Sequence, residues 1–167
     1  MKQKKVLHIV RHAKSSWDFD GIADIDRTLK SKGIQSAYEI SRRLKLSSNM
    51  PDRIISSPAN RALHTAVIFA RVFEFPLRQL EICSLLYESS LEKILEFLKD
   101  SPDEFQSMMM FGHNPDVSDL ANYFIKSGVS DIPTSGVVSL TFKCQNWKEI
   151  GKENLEGHTL HFPNRAE

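Results

Sequence analysis

The 167-residue chain is poor in the features that mark several protein classes. Cysteine is scarce: Cys83 and Cys144 stand alone with no CxxC spacing, which excludes a disulfide framework and a zinc knuckle. Neither sign of charge dominates, since 22 Lys+Arg face 21 Asp+Glu for a net +1, so the basic field of a nucleic-acid binder is missing. No uncharged run approaches the ~18 apolar residues of a membrane span. The basic opening Met1–Arg11 has too short an apolar stretch for a signal peptide, broken by His8 and Arg11. Repeats and low-complexity tracts are absent, and the seven glycines and seven prolines lie in clusters short enough to be turns. A cytoplasmic protein with one domain over 1–167 is expected. Its 41% hydrophobic and 26% charged residues match ordinary globular usage.

Strands and helices alternate along the chain. Val6–Val10 is a β-branched-rich run suited to a buried strand, and it delivers Arg11 and His12 to its carboxyl end. From Ser31 to Leu46, Ile34, Ala37, Tyr38, Ser41 and Leu44 fall at helical spacing. Arg53–Ser56 reads as a second strand, followed by Ser57-Pro58 as N-cap and first-turn proline. The helix that follows carries Ala59, Ala62, Leu63, Ala66, Val67 and Ala70 on one face, with Arg61 beside that stripe. Leu91–Leu98 is a shorter helix. Met108–Phe111 is another buried strand ending at Gly112-His113, after which Asn114-Pro115-Asp116 suits a cap and first turn. Val117, Leu120, Ala121, Phe124 and Ile125 form the next helical face, Gly136–Phe142 is a late strand, and Trp147–Phe162 is a hairpin or edge strand. The alternation predicts a three-layer α/β/α sandwich with a mostly parallel mixed sheet.

Three strand-to-helix junctions then carry unusual residues: Arg11-His12, Arg61 and His113. Ligands of open α/β sheets bind at the carboxyl ends of the strands, so these side chains are expected to converge. A cation in a helix's first turn opposes the macrodipole by roughly a few tenths of a kcal/mol, so Arg61 implies an anion nearby. The combined positive ends suit a phosphate or carboxylate. Taken singly, Arg11-His12 also fits a surface ion-pair partner and His113 a satisfied loop histidine. His8 reads as a core residue without chemistry, and His64, His158 and His161 as structural or exposed. The six histidines lack HExxH or another ligand spacing, so no metal is expected.

The ordered set LHIVRHAKSSWD at 7–18, DRTLKSKG at 26–33, SSPANRA at 56–62 and FGHNP at 111–115 resembles the histidine phosphatase superfamily, with its phosphoglycerate mutase-like fold. The short chain and the sequence RHAKSSW are most similar to the SixA-type phosphohistidine phosphatase branch. The resemblance implies that His12 is the nucleophile, that Arg11 and Arg61 clamp the phosphoryl oxygens, that His113 is the second pocket histidine and that Arg27 adds a phosphate contact. These residue types suit the chemistry: an imidazole nitrogen attacks phosphorus, water hydrolyses the phosphohistidine, and guanidiniums hold the equatorial oxygens. No metal or cofactor is required.

Three departures accompany the resemblance. Ala13 stands where the family's glycine is usual, which is feasible if its φ is negative. Lys30 occupies a capping position that Ser31 can take over. By the resemblance, Asp18 departs at the position of a phosphate-binding Asn in many relatives and Glu88, in LLYE at 85–88, loosely matches the acid of mutase-like relatives, so the two are rival candidates for a general acid. The implied substrate is phosphohistidine on a signalling protein, such as a histidine phosphotransfer domain; a small phosphate ester is the alternative, and a non-catalytic phosphate-recognition module is the third reading. Neither nucleic acid nor membrane is expected as a partner.

Overall fold

The computed structural model describes residues 3–164, so Met1 and Lys2 of the basic opening lie outside it. Ten principal elements follow one another: β1 (Lys5–Arg11), α1 (Ser31–Lys45), β2 (Arg53–Ser56), α2 (Asn60–Phe73), β3 (Glu81–Ile82), α3 (Leu91–Lys99), β4 (Ser107–Gly112), α4 (Asp116–Phe124), β5 (Val137–Phe142) and β6 (Leu155–His161). The sheet order is β3-β2-β4-β1-β5-β6. β3, β2, β4 and β1 run parallel, while β5 is antiparallel to both β1 and β6, giving the mostly parallel mixed sheet that the alternation predicts.

Period-two alternation sorts the central strands between two cores. Leu7, Ile9, Met108 and Met110 pack with α3 and α4 on one face, and Val10, Met109 and Phe111 pack with α1 and α2 on the other. Burial on both faces is why these strands read as continuous apolar runs. β6 closes the antiparallel edge, preceded by two short 3-10 turns rather than a hairpin partner of its own. No helix among the described residues is long and apolar enough to cross a membrane.

Four local expectations change, the first being that α4 starts at Asp116 with Pro115 in the cap position and no side-chain cap bond, so Asn114 does not cap it. α2 starts at Asn60 with Ala59 in the cap position and no side-chain cap bond, so Ser57-Pro58 precedes the helix. Its buried face takes in Arg61, Thr65, Ile68, Phe69 and Phe73 because both the sheet and α1 cover the helix, whereas Leu63 and Val67 are half-buried. Ser31 is the first residue of α1 and does not replace a cap: no side chain caps that helix, and the Lys30 N–H donates to the Lys14 carbonyl at 2.9 Å. That close approach requires Gly33, where an added Cβ would collide with the Lys14 carbonyl oxygen and lie 2.8 Å from its nitrogen.

Candidate active site

Beyond β1 the chain is sewn to three other segments. The His12 N–H donates to Gly112 at the end of β4, and Ser135 N–H donates to the His12 carbonyl. The Ala13 N–H donates to Thr65 Oγ1 at 2.9 Å, and that hydroxyl donates to the Arg61 carbonyl one turn earlier in α2 at 2.6 Å. Ala13 is fully buried and its φ is not positive, so the turn accepts its Cβ.

These anchors place Arg11, His12, Arg27, Arg61 and His113 around one pocket of about 360 Å³, with Lys14, Ser15, Trp17, Lys30, Asn114 and Thr134 completing the wall. The convergence expected from three junctions is thus present in the fold. The rings of His12 and His113 lie 5.1 Å apart at 49°. Among the described residues no carboxylate lines the pocket.

His12 Nδ1 lies 2.7 Å from the Ala13 carbonyl oxygen. A carbonyl only accepts, so Nδ1 carries the proton and the neutral ring presents a bare Nε2. Burial is the main force pushing His12 down to about 4; the Ala13 carbonyl opposes it, and the charges of Arg61, Arg11 and Arg27 add to it. His113 falls to about 3 through burial, followed by the influence of His12 and Arg61. Its Nε2 meets Ser57 Oγ at 2.7 Å, and the same oxygen accepts from the Ala59 N–H at 3.2 Å. The Ser57 hydroxyl can donate to a bare Nε2 or accept from a protonated one, so this contact holds the ring without fixing its tautomer. The His113 Nδ1 is buried without a partner, as are Arg11 Nε and Arg61 Nε. Arg11, Arg27, Arg61, Lys14 and Lys30 give the pocket a cationic lining suited to an oxyanion.

The anion that Arg61 implied is present in the chain itself. Asp24, in a 3-10 turn before α1, accepts from Arg61 Nη2 at 2.9 Å, from Arg27 Nη1 at 3.1 Å and from the Tyr87 hydroxyl at 2.8 Å. Its carbonyl also accepts from Arg61 Nη1 at 2.7 Å. Partial burial alone would raise its carboxyl, but the Tyr87, Arg61 and Arg27 hydrogen bonds hold it down to about 2. Arg27 is fixed further by Ser15 Oγ and the Ser16 carbonyl, with its guanidinium carbon 3.2 Å from the centre of the Trp17 ring.

Sequence reasoning missed Asp24, Tyr87, Ser57 and Thr65. Thr65 was accessible as the residue four after Arg61 on the same helical face, and Ser57 was misread as a cap. The structure does not bring either acid candidate into the pocket. Asp18 is exposed and accepts from the Ser16 hydroxyl at 3.0 Å, while Glu88 is exposed beside Tyr87.

Residues 7–106 match the model of the histidine phosphatase superfamily, branch 1. An uncharacterized protein of Mycobacterium leprae is 28% identical over 166 residues, covering 92% of this chain and 99% of the relative. Among solved structures, SixA from Agrobacterium tumefaciens is 28% identical with a TM-score of 0.72, covering 81% of this chain and 90% of that one. The protein histidine phosphatase SixA complexed with tungstate superposes with a TM-score of 0.74 at 19% identity over 94% of both chains. The layout is also the phosphoglycerate mutase-like one. The matched segment makes the chain a phosphatase that belongs to the histidine phosphatase superfamily, with a fold similar to that of the SixA structures.

Proposed function

We propose that this phosphatase works without a metal, through a covalent phosphohistidine on His12, and that its substrate is phosphohistidine in a signalling protein. The observation that carries the reading is the His12 tautomer: a bare Nε2, kept unprotonated near neutral pH, beside two guanidiniums. In the first step the Nε2 lone pair attacks phosphorus as the P–N bond to the substrate imidazole breaks, and that imidazole leaves carrying a proton. In the second, water attacks phosphorus, the P–Nε2 bond breaks, and inorganic phosphate departs with the ring restored. Arg11, Arg61 and His113 hold the equatorial oxygens in both steps. Arg27 is placed to add a contact.

The carboxylate bonded to the pocket arginines, Asp24, is tied to Arg61, Arg27 and Tyr87 and held ionised, so it carries no proton to give a leaving group, which favours this substrate class. An alkoxide leaving group needs a positioned acid, whereas an imidazole can be protonated before the bond breaks. The proposal accordingly gives neither Asp18 nor Glu88 that task. The protein histidine phosphatase SixA shares the fold and supports the same reading. The test is phosphate release in chelator from a phosphohistidine peptide, p-nitrophenyl phosphate and sugar phosphates, with acid-labile phosphoenzyme trapped by rapid quench. The peptide should be preferred, and His12→Ala should abolish both turnover and labelling. Labelling that survives in His12→Ala puts the nucleophile elsewhere, and preference for the esters replaces the protein substrate with a small one.

A further inference from the structure

Trp17, Phe19 and Ile22 project from the 16–22 loop with exposures of 74%, 61% and 42%. With Asp24, Arg27 and Thr28 they line a groove of about 280 Å³ beside the catalytic pocket. Trp17 and Arg27 belong to both cavities, so the stacked pair is their shared wall. Lys14 and Lys30 stand on the pocket wall, and neither forms an ion pair among the described residues. Three large apolar side chains left in water at the lip of a site mark a contact surface.

We propose that this groove docks the substrate protein, taking an apolar side chain that flanks the phosphohistidine, while Lys14 and Lys30 face acidic side chains on the same partner. The proposal rests on the phosphohistidine reading above. Continuity with the pocket selects the occupant: a small ester fills the pocket without reaching Phe19 or Ile22, whereas a helix carrying the phosphohistidine presents neighbours at i±3 and i±4 to the lip. A second copy of this chain fits poorly, because an isologous contact through the patch would press two cation-lined pockets together.

Phe19→Ser/Ile22→Ser, two exposed positions that touch no reacting group, separates the outcomes. Three substrates are compared: free phosphohistidine, a helical phosphohistidine peptide with Leu at i±3 and i±4, and the same peptide with Ser there. Wild type should prefer the Leu peptide by roughly tenfold in kcat/KM, mainly through KM. The double variant should lose that preference and keep its rate on free phosphohistidine. Equal rates on the two peptides in wild type, or a preference that persists in the variant, overturns the docking surface and leaves the substrate class standing. A wild-type dimer that the double substitution dissolves reassigns the patch to a second copy and also overturns it. No turnover of any of the three substrates removes the substrate reading, and the docking surface falls with it.

Discussion

A single hydrogen bond decides the chemistry of His12. The Ala13 carbonyl takes the Nδ1 proton, and burial with three nearby guanidiniums keeps the ring neutral, so the Nε2 lone pair that the proposed mechanism uses is free without help from a base. A depressed imidazole alone does not mark a nucleophile. His8 is also held near 4, by burial and then by His161, yet its Nδ1 meets Ser139 Oγ at 2.7 Å inside the sheet, in keeping with a core residue. The prediction at this scale is that nitrogen-detected NMR finds His12 as the Nδ1–H tautomer, neutral from pH 8 to about 5, with a midpoint near 4. A midpoint near the ordinary 6.5 would show that the pocket does not depress it. The sequence named His12, Arg11, Arg27, Arg61 and His113. It hid Asp24 because that carboxylate joins Arg61 and Tyr87 from positions 37 and 63 residues away, a relation no local spacing encodes.

Elements hold these residues through a few cross-links. Thr65 ties the turn after β1 to α2, accepting from Ala13 and donating to Arg61, both through buried backbone groups. Replacing it with valine keeps the shape but leaves the Ala13 N–H unpaired. Thr65→Val should therefore lower stability by about 1–3 kcal/mol in urea unfolding and reduce kcat/KM as the His12 turn loosens. Unchanged stability would mean that the turn is held by its other bonds. Strand ends and helix faces were legible because periodicity reports burial, and β2 begins and ends as read, at Arg53 and Ser56. Helix caps were not. Ser57 is a good capping residue by type, but its hydroxyl serves His113, and Asn114 accepts from the Ser118 hydroxyl rather than from a backbone N–H.

The whole molecule buries three imidazoles in neutral form. His8, His12 and His113 fall from 6.5 to about 4, 4 and 3 in the folded chain, so between those values and 6.5 the unfolded chain binds protons that the folded one refuses. Stability from these groups is present above pH 6.5 and is lost as pH falls toward 4. The urea midpoint at pH 5 should lie well below that at pH 7.5, before Asp24 near 2 begins to contribute; equal midpoints would contradict the burial argument. At this scale the alternation of apolar runs was enough to give the layers and the parallel majority of the sheet, because each strand and helix must bury its own apolar face. The order of junction residues along the chain was enough to name four pocket side chains, Arg11, His12, Arg61 and His113, because strand ends in such sheets face a common side, while Arg27 was named only by the family resemblance. Folding alone decided the rest: which carboxylate holds Arg61, which hydroxyl orients His113, and that neither Asp18 nor Glu88 enters the pocket. Those facts depend on the distances between segments far apart in sequence, which are set by how the β1, β2 and β4 ends and the 16–29 loop pack together.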